Sequence, residues 1–410
     1  MSIAPAAAPA ETRQPTALGA AALFTLALLA AVAPFATDLY LPAFPEMVPD
    51  LGTTNAGVQL SLTAFLVGAG LGQVLFGPLS DRFGRRVPLL AGVALYVLAS
   101  AAAALAPTVT LLVVARLVQG LTGAAGMVIG RAMIADVATG QAAARALSIM
   151  MLVGGVAPVV APVVGSVLAE PLGWRGLLWI VAALGVVALG FALAVLRETH
   201  SRLVGGAAGA PAAAAGAARV PLAKLLTGRV YAGNTVAFAF AFATMMAYIS
   251  ASPFLYQEMM GFGTLAYGLL FGANALGLMV LSGVSAKLAG SVPVRRLART
   301  GLLLNAAAIA AMAVVVLSGA PVTWLIVPIF VAVASLGLVF GTTTALALDA
   351  VRSSAGAGSA LLGLLQFGLA GAVAPLVSLG GEGTALPLVL SMLVATVVAN
   401  VAFSWGRPRD

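Results

Sequence analysis

The chain has 410 residues, of which 62% are hydrophobic and 8% charged. Soluble globular chains carry roughly 45–50% apolar and about 25% charged residues, so this composition, with a mean hydropathy of +1.11, excludes an ordinary soluble domain and places the chain in a lipid bilayer. The formal charge of +8 does not mark a nucleic-acid binder, because the basic residues fall in small groups between hydrophobic stretches rather than in one patch; the absence of cysteine excludes a disulfide scaffold, a thiolate metal site and a cysteine nucleophile.

A helix crosses the hydrocarbon core with about 20 residues, so charge-free gaps of that length are candidate spans. In chain order they are Ala17–Thr37, Leu51–Ser80, Val87–Ala115, Ala146–Ala169, Gly176–Leu196, Val230–Gln257, Met259–Ala286, Thr300–Leu348, Ser353–Gly381 and Gly383–Gly406. Two gaps hold turn signals. "SGAPVT" at Ser318–Thr323 divides the long one into two spans, and "APTVT" at Ala106–Thr110 ends the third, after which a fourth helix runs from about Val109 through Arg116 to Ala135. The expectation is an all-α integral membrane protein of twelve helices.

Lysine and arginine in short loops set orientation. With a cytoplasmic N-terminus the inside set is Arg13, Arg82, Arg85, Arg86, Arg131, Arg145, Arg197, Arg202, Arg219, Lys224, Arg229, Lys287, Arg295, Arg296, Arg299, Arg352, Arg407 and Arg409, eighteen of the twenty basic residues. Arg175 falls outside and Arg116 lies within a helix. Both termini are therefore expected in the cytoplasm. The leader "MSIAPAAAPAETRQP" lacks a strongly basic start and the first apolar span is too long for a cleaved signal peptide. The arginine bias and alanine excess point to a GC-rich bacterial genome, hence to the bacterial cytoplasmic membrane.

The longest inside loop contains "GGAAGAPAAAAGAA", a flexible low-complexity linker. It divides the chain into a six-helix half at 1–200, a linker at 201–228 and a second six-helix half at 229–410. Its end, "RVPLAKLLTGR", is basic and apolar and suits the anionic inner leaflet. His200, the single histidine, has no second ligand type near it and reads as a solvated loop residue; no metal is expected.

An ionisable group well inside a span is a functional signal, since burying a bare charge there costs roughly 2.5–3.5 kcal/mol. Two residues qualify, Asp38 and Arg116, both in the outer half at comparable depth. Asp38 has two readings: a structural residue that caps the broken helix end before Pro42 or pairs with a cation, or a proton carrier whose proton affinity changes as its site hydrates and dries. Arg116 keeps its proton and needs a partner or water. Its helix, "RLVQGLTGAAGMVIGR", sets Gly120, Gly123 and Gly130 on the arginine's face, which favours close packing against a neighbour. Gln119 is either a second polar contact or a satisfied buried amide.

"GPLSDRFGRRVPL" at Gly77–Leu89 matches the cytoplasmic-loop signature of the major facilitator superfamily, G-x-L-x-D-R-x-G-R-R/K. "RLVQG" at Arg116–Gly120 resembles the R-x-x-Q-G motif of that family's fourth helix. "TDLYLPAFPEM" at Thr37–Met47 is similar to the first-helix motif of its 12-helix drug:proton antiporters, in the Bcr/CflA-type drug-resistance branch that includes chloramphenicol and florfenicol exporters. "RAMIADVATGQAAARALS" continues the likeness over the first 200 residues; beyond them it is mostly topological, and the loop "GVSAKLAGSVPVRRL" lacks the Asp-Arg-x-Gly core. On the fifth-helix motif G-x-x-x-G-P-x-x-G-G, Pro162 and Gly165 are kept while Ala157, Ala161 and Ser166 replace glycines.

The resemblance implies two pseudo-symmetric six-helix bundles with a site between them near the membrane midplane. It also implies that Asp38 exchanges protons, that Arg116 tunes it, and that Gly77, Asp81, Arg82, Gly84, Arg85 and Arg86 form a cytoplasmic gate motif, with Gly84 at the tight turn. The arginines also read as topological anchors alone. The apolar, adaptable seventh helix "NTVAFAFAFATMMAYISASPF" supplies pocket candidates Asn234, Phe238, Phe242, Met245 and Tyr248, joined by Tyr40, Gln119, Asn274 and Gln366. The expected function is export of a small amphiphilic drug-like substrate against entering protons, by a monomer that uses no cofactor other than the proton gradient and catalyses no reaction. A facilitator for a sugar or other natural metabolite is the rival, and a non-transporting sensor or scaffold the alternative of another class.

Overall fold

The computed structural model describes residues 19–138, 140–199, 226–351, 355–373, 376–377 and 384–407. Arg13, His200, Arg202, Arg219, Lys224, Arg352, Arg409 and all but the last few residues of the expected linker lie outside the described residues. Twelve apolar helices are present among the described residues. The first bundle holds α1 (Ala20–Asp38), α2 (Asn55–Phe83), α3 (Arg86–Ala104), α4 (Val109–Val137), α5 (140–172) and α6 (174–195). The second holds α7 (Arg229–Pro253), α8 (Thr264–Leu288), α9 (Val294–Leu317), α10 (Ile326–Asp349), α11 (Ala355–Val373) and α12 (Leu386–Trp405).

Local chemistry sets the helix ends. Thr54 and Thr108 accept hydrogen bonds from the amides of Gly57 and Leu111, at 3.2 and 3.3 Å, and so cap α2 and α4. Gly84, at φ 88°, supplies the left-handed turn between α2 and α3 that a side chain would resist. The 29 residues of α2 reach about 43 Å at 1.5 Å per residue, enough to cross a bilayer with a turn to spare at each end. Outward-facing Leu98, Val314, Leu317, Val327 and Val394 leave an apolar belt exposed, the surface that hydrocarbon requires.

The spans expected at Ala146–Ala169 and Gly176–Leu196 are α5 and α6, and the chain turns between them at Gly173 (φ 62°, ψ 176°). Trp174 and Arg175 after the turn both bond Asp50, through Trp174 Nε1 at 2.8 Å and an Arg175 ion pair. Arg175, the lone basic residue outside the inside set, thus pins this reversal. The seventh span does not run straight to Gln257. After Pro253 the chain widens into a π-helical turn at Phe254–Met259, where the Met260 amide bonds the Leu255 carbonyl five residues back at 3.0 Å.

The bundles meet along two seams, α2 with α11 and α5 with α8. Small residues let the backbones close. A Cβ on Gly268 of α8 would stand 2.1 Å from Ser166 Oγ, and one on Gly371 of α11 would stand 2.6 Å from Val67 Cγ2. At the end of the molecule that holds Pro42, the bundles are also bonded directly. Gln257 Nε2 donates to the Pro42 carbonyl at 2.9 Å, Asn55 Nδ2 donates to Glu258 Oε2 at 3.1 Å, and the rings of Phe44 and Phe254 lie 6.0 Å apart.

Candidate functional site

Below those contacts the bundles enclose a cavity of about 570 Å³. Its wall takes Asp38, Thr37 and Pro34 from α1, Phe65 and Gln73 from α2, and Phe242, Met245 and Tyr248 from α7. Further residues come from α4, α5, α8, α10 and α11, including Gln366. Among the described residues Asp38 is the only carboxyl or cationic side chain in that wall. It sits in the last turn of α1, 4% exposed, and the short turn through Leu41–Ala43 then carries the chain away. Gly165 of α5 lets this corner form: a Cβ there would lie 2.0 Å from the Leu39 carbonyl oxygen. Pro162 belongs to the same contact region, with its carbonyl beside Gly268 across the α5/α8 seam.

Arg116 is fully buried but does not enter the cavity wall. Its Nη1 donates to Gln119 Oε1 at 2.5 Å; its Nη2 donates to the Ala36 carbonyl at 2.8 Å and to the Tyr40 hydroxyl at 3.2 Å. The Tyr40 hydroxyl in turn pairs with Ser61 Oγ at 2.9 Å, and Gln119 Nε2 donates to Ser100 Oγ at 2.7 Å. The guanidinium lies between two rings, 4.5 Å from the centroids of Tyr40 and Phe65. Desolvated contacts of this kind are worth up to about 2 kcal/mol. α2 comes close enough to supply Phe65 because Gly120, one turn after Arg116, has no side chain: a Cβ there would stand 2.0 Å from the Phe65 carbonyl oxygen.

The pocket candidates divide into four groups. Phe242, Met245, Tyr248 and Gln366 line the cavity. Asn274 stands behind the wall, where its Nδ2 donates to the hydroxyls of Tyr248 at 2.7 Å and Tyr256 at 3.2 Å. Tyr40 and Gln119 belong to the Arg116 cage instead of the pocket. Two positions correct the sequence reading. Asn234 is buried near the start of α7 with its amide on the Val230 carbonyl at 2.7 Å. Phe238 packs with Tyr231, Leu361 and Leu362 and behind the wall rings of Phe242 and Phe340, so depth along one face of α7 keeps both out of the wall. Phe65, Gln73 and Ser282 line it and were not expected; Gln73, a polar side chain inside an uncharged span, was the available signal.

At the Gly84 end the motif residues build a cluster within the first bundle. Arg85 donates to Ser80 Oγ at 2.8 Å, to Asp81 at 2.5 Å and through Nε to Asp136 Oδ2 at 2.9 Å. Burial works against the Arg85 charge, yet Asp136 and Asp81 outweigh it and hold the guanidinium pKa above its ordinary value. Glu198 accepts from the amides of Arg85 and Arg86 at 2.9 and 3.0 Å, which places a carboxylate on the N-terminus of α3. Arg86 also reaches the Leu193 carbonyl at 3.2 Å, while Arg82 lies over Phe83. Gly77 contributes its carbonyl to Ser80 Oγ at 2.9 Å. Asp136 and Glu198 were not anticipated, because their partners are distant in sequence.

Two six-helix bundles that close over a cavity with one acid in its wall define a membrane transporter of the two-lobed class. The chain belongs to the major facilitator superfamily, whose family profile matches residues 26–375, and it is a multi-pass membrane transporter, not an enzyme. It is 34% identical to an uncharacterized MFS-type transporter, YdgK, of Bacillus subtilis, over 93% of this chain and 94% of that one. It is 25% identical to a bicyclomycin resistance protein homolog of Haemophilus influenzae, over 95% and 96% of the two chains, and 26% identical to the multidrug resistance protein MdtL of Escherichia coli, over 92% and 93%. These relatives support the drug-resistance branch and extend the likeness across the second half. The fold matches a crystal structure of a D-xylose-proton symporter with TM-score 0.72 at 14% identity, over 94% of this chain and 96% of that one.

Proposed function

We propose that this transporter is a proton-coupled exporter of small amphiphilic drug-like molecules, working as a monomer in the bacterial cytoplasmic membrane with the Gly84 end and both termini inside. The observation that carries the reading is Asp38: among the described residues it is the one acid in the wall of a largely apolar, aromatic and methionine-bearing cavity, and Arg116, the buried cation nearby, is occupied by other partners. A carboxyl free of a fixed cation exchanges protons as its site alternates between water and a dry, cargo-filled state. The names of the bicyclomycin and multidrug relatives support the cargo class, and the placement of basic residues supports the orientation. In this orientation the Pro42 contacts close the outer side, and the lobes at 1–200 and 229–410 rock about the cavity.

The test uses inverted membrane vesicles with an acidic interior, given labelled chloramphenicol from outside, with labelled xylose as the contrasting cargo. The native chain accumulates chloramphenicol and not xylose, while Asp38→Asn inserts normally and accumulates neither. Uphill chloramphenicol accumulation by Asp38→Asn overturns the reading.

A further inference from the structure

We propose that Phe65 is a specificity-determining residue: its ring insulates the Arg116 guanidinium from the central cavity, so that Asp38 is the only full charge a cargo meets. The inference rests on the reading that this cavity receives cargo. One face of the Phe65 position belongs to the cavity wall, and the same ring has the Arg116 guanidinium 4.5 Å from its centroid. The Tyr40 ring stands at the same distance, and Arg116 has no exposed surface. A permanent positive charge therefore stands one aromatic ring from the transport space without contributing to its surface.

The arrangement has a chemical consequence. Arg116 keeps an Nε donor with no hydrogen-bond partner among the described residues, so an anion that reached it would find both a charge and an unused donor in a low-dielectric setting, where such contacts are strongest. The ring denies that contact. Carboxylate-bearing molecules then meet the Asp38 carboxyl, a few neutral polar groups and apolar surface but no cation, whereas cationic and neutral amphiphiles meet a compatible wall. Tight backbone packing holds the insulation in place: Gly120 against the Phe65 carbonyl, and Gly68 against the Leu117 carbonyl, where an added Cβ would stand 2.1 Å away.

Rhodamine 123 and fluorescein, a cationic and an anionic dye on related xanthene skeletons, provide the probes for equilibrium binding to the purified full-length chain. The native protein binds rhodamine 123 and excludes fluorescein. Phe65→Ala gains fluorescein binding by about tenfold or more, the scale of a charged hydrogen bond gained in a dry site, and the double variant Phe65→Ala/Arg116→Gln loses that gain. Should Phe65→Ala fail to insert, Phe65→Val takes its place with the same readout. Equal binding of both dyes by the native chain, no gain in the folded variant, or a gain that survives Arg116→Gln overturns the inference. Failure of proton-driven chloramphenicol export would instead overturn the antiport reading and leave the dye selectivity standing.

Discussion

Arg116 bonds the carbonyl of Ala36, two residues before Asp38, at 2.8 Å, and forms no ion pair with the Asp38 carboxylate. The two ionisable residues within the spans therefore meet through a stretch of α1 backbone and not through a direct ion pair. The arginine grips the backbone and the Tyr40 ring, which sets the end of the helix; the acid is left to face the cavity. A buried cation committed to carbonyl, amide and aromatic partners stabilises that corner without bonding the acid beside it.

Lysine cannot replace Arg116. An ammonium has no planar face to lie between Tyr40 and Phe65, and it cannot reproduce the fork that reaches Gln119 and Ala36 together. Arg116→Lys is expected to lower unfolding free energy by about 2 kcal/mol through lost charged hydrogen bonds and ring contacts, seen as a reduced Tm in detergent. An unchanged Tm would show that the cage contributes nothing to stability.

At the Gly84 end, Glu198→Ala removes the acceptor for two α3 amides and is expected to cost about 1 kcal/mol, as for a lost helix cap. Arg85→Ala removes the cation that Ser80, Asp81 and Asp136 share and costs more. Arg82→Ala leaves stability unchanged, because that side chain only rests on Phe83. Thermal melts of the three variants rank the loss as Arg85→Ala largest, Glu198→Ala next and Arg82→Ala least, and a larger loss for Arg82 than for Arg85 would refute the ranking.

Gly165→Val drives a branched side chain into the Leu39 carbonyl. The backbone next to Asp38 must shift, since the obstacle is main chain and not a flexible side chain. Chloramphenicol export is expected to fall to background, with Gly165→Ala intermediate; full export by the valine variant would show that the corner tolerates displacement.

The chain contains no cysteine, so thiols can be introduced without prior substitutions. Asn55→Cys with Glu258→Cys replaces the bonded pair that joins the bundles near Pro42. A short bifunctional thiol reagent is expected to arrest export in the double variant, and a cleavable version of the reagent to restore export on reduction. Continued export after complete cross-linking would mean that these residues do not separate during the cycle.

Phe242→Ala and Gln366→Ala change the cavity wall and are expected to raise the KM for chloramphenicol several-fold. Asn234→Ala, which touches the Val230 carbonyl and not the wall, is expected to leave KM unchanged and to affect stability alone. Steady-state export at several drug concentrations separates the two outcomes.

Charge spacing made most of the fold legible. A bare charge is expensive in hydrocarbon, so gaps between charges mark the spans, and Asp38 stood out for the same reason. The long gap resolved correctly into α9 and α10 at Ser318–Thr323, because Gly319 adopts a positive φ of 68° and Pro321 follows. The partners of Arg116 were not legible beyond Gln119, since Ala36, Tyr40 and Phe65 are brought to it by packing across helices and one of them acts through its backbone. Asn234 and Phe238 were misplaced for a related reason: residue type along α7 signals adaptable surface but carries no information on which turn opens into the cavity. Asp136 and Glu198 escaped notice because each lies far along the chain from the arginine or amides it bonds.

The glycines along the seams have a mechanical consequence. Where Gly268 meets Ser166 and Gly371 meets Val67, a glycine on one rod leaves a shallow notch that a single small side chain of the other occupies. One rod can roll against the other while few side chains change rotamer. Such surfaces act as bearings, and friction introduced there by added bulk would slow turnover before it altered what the chamber can hold.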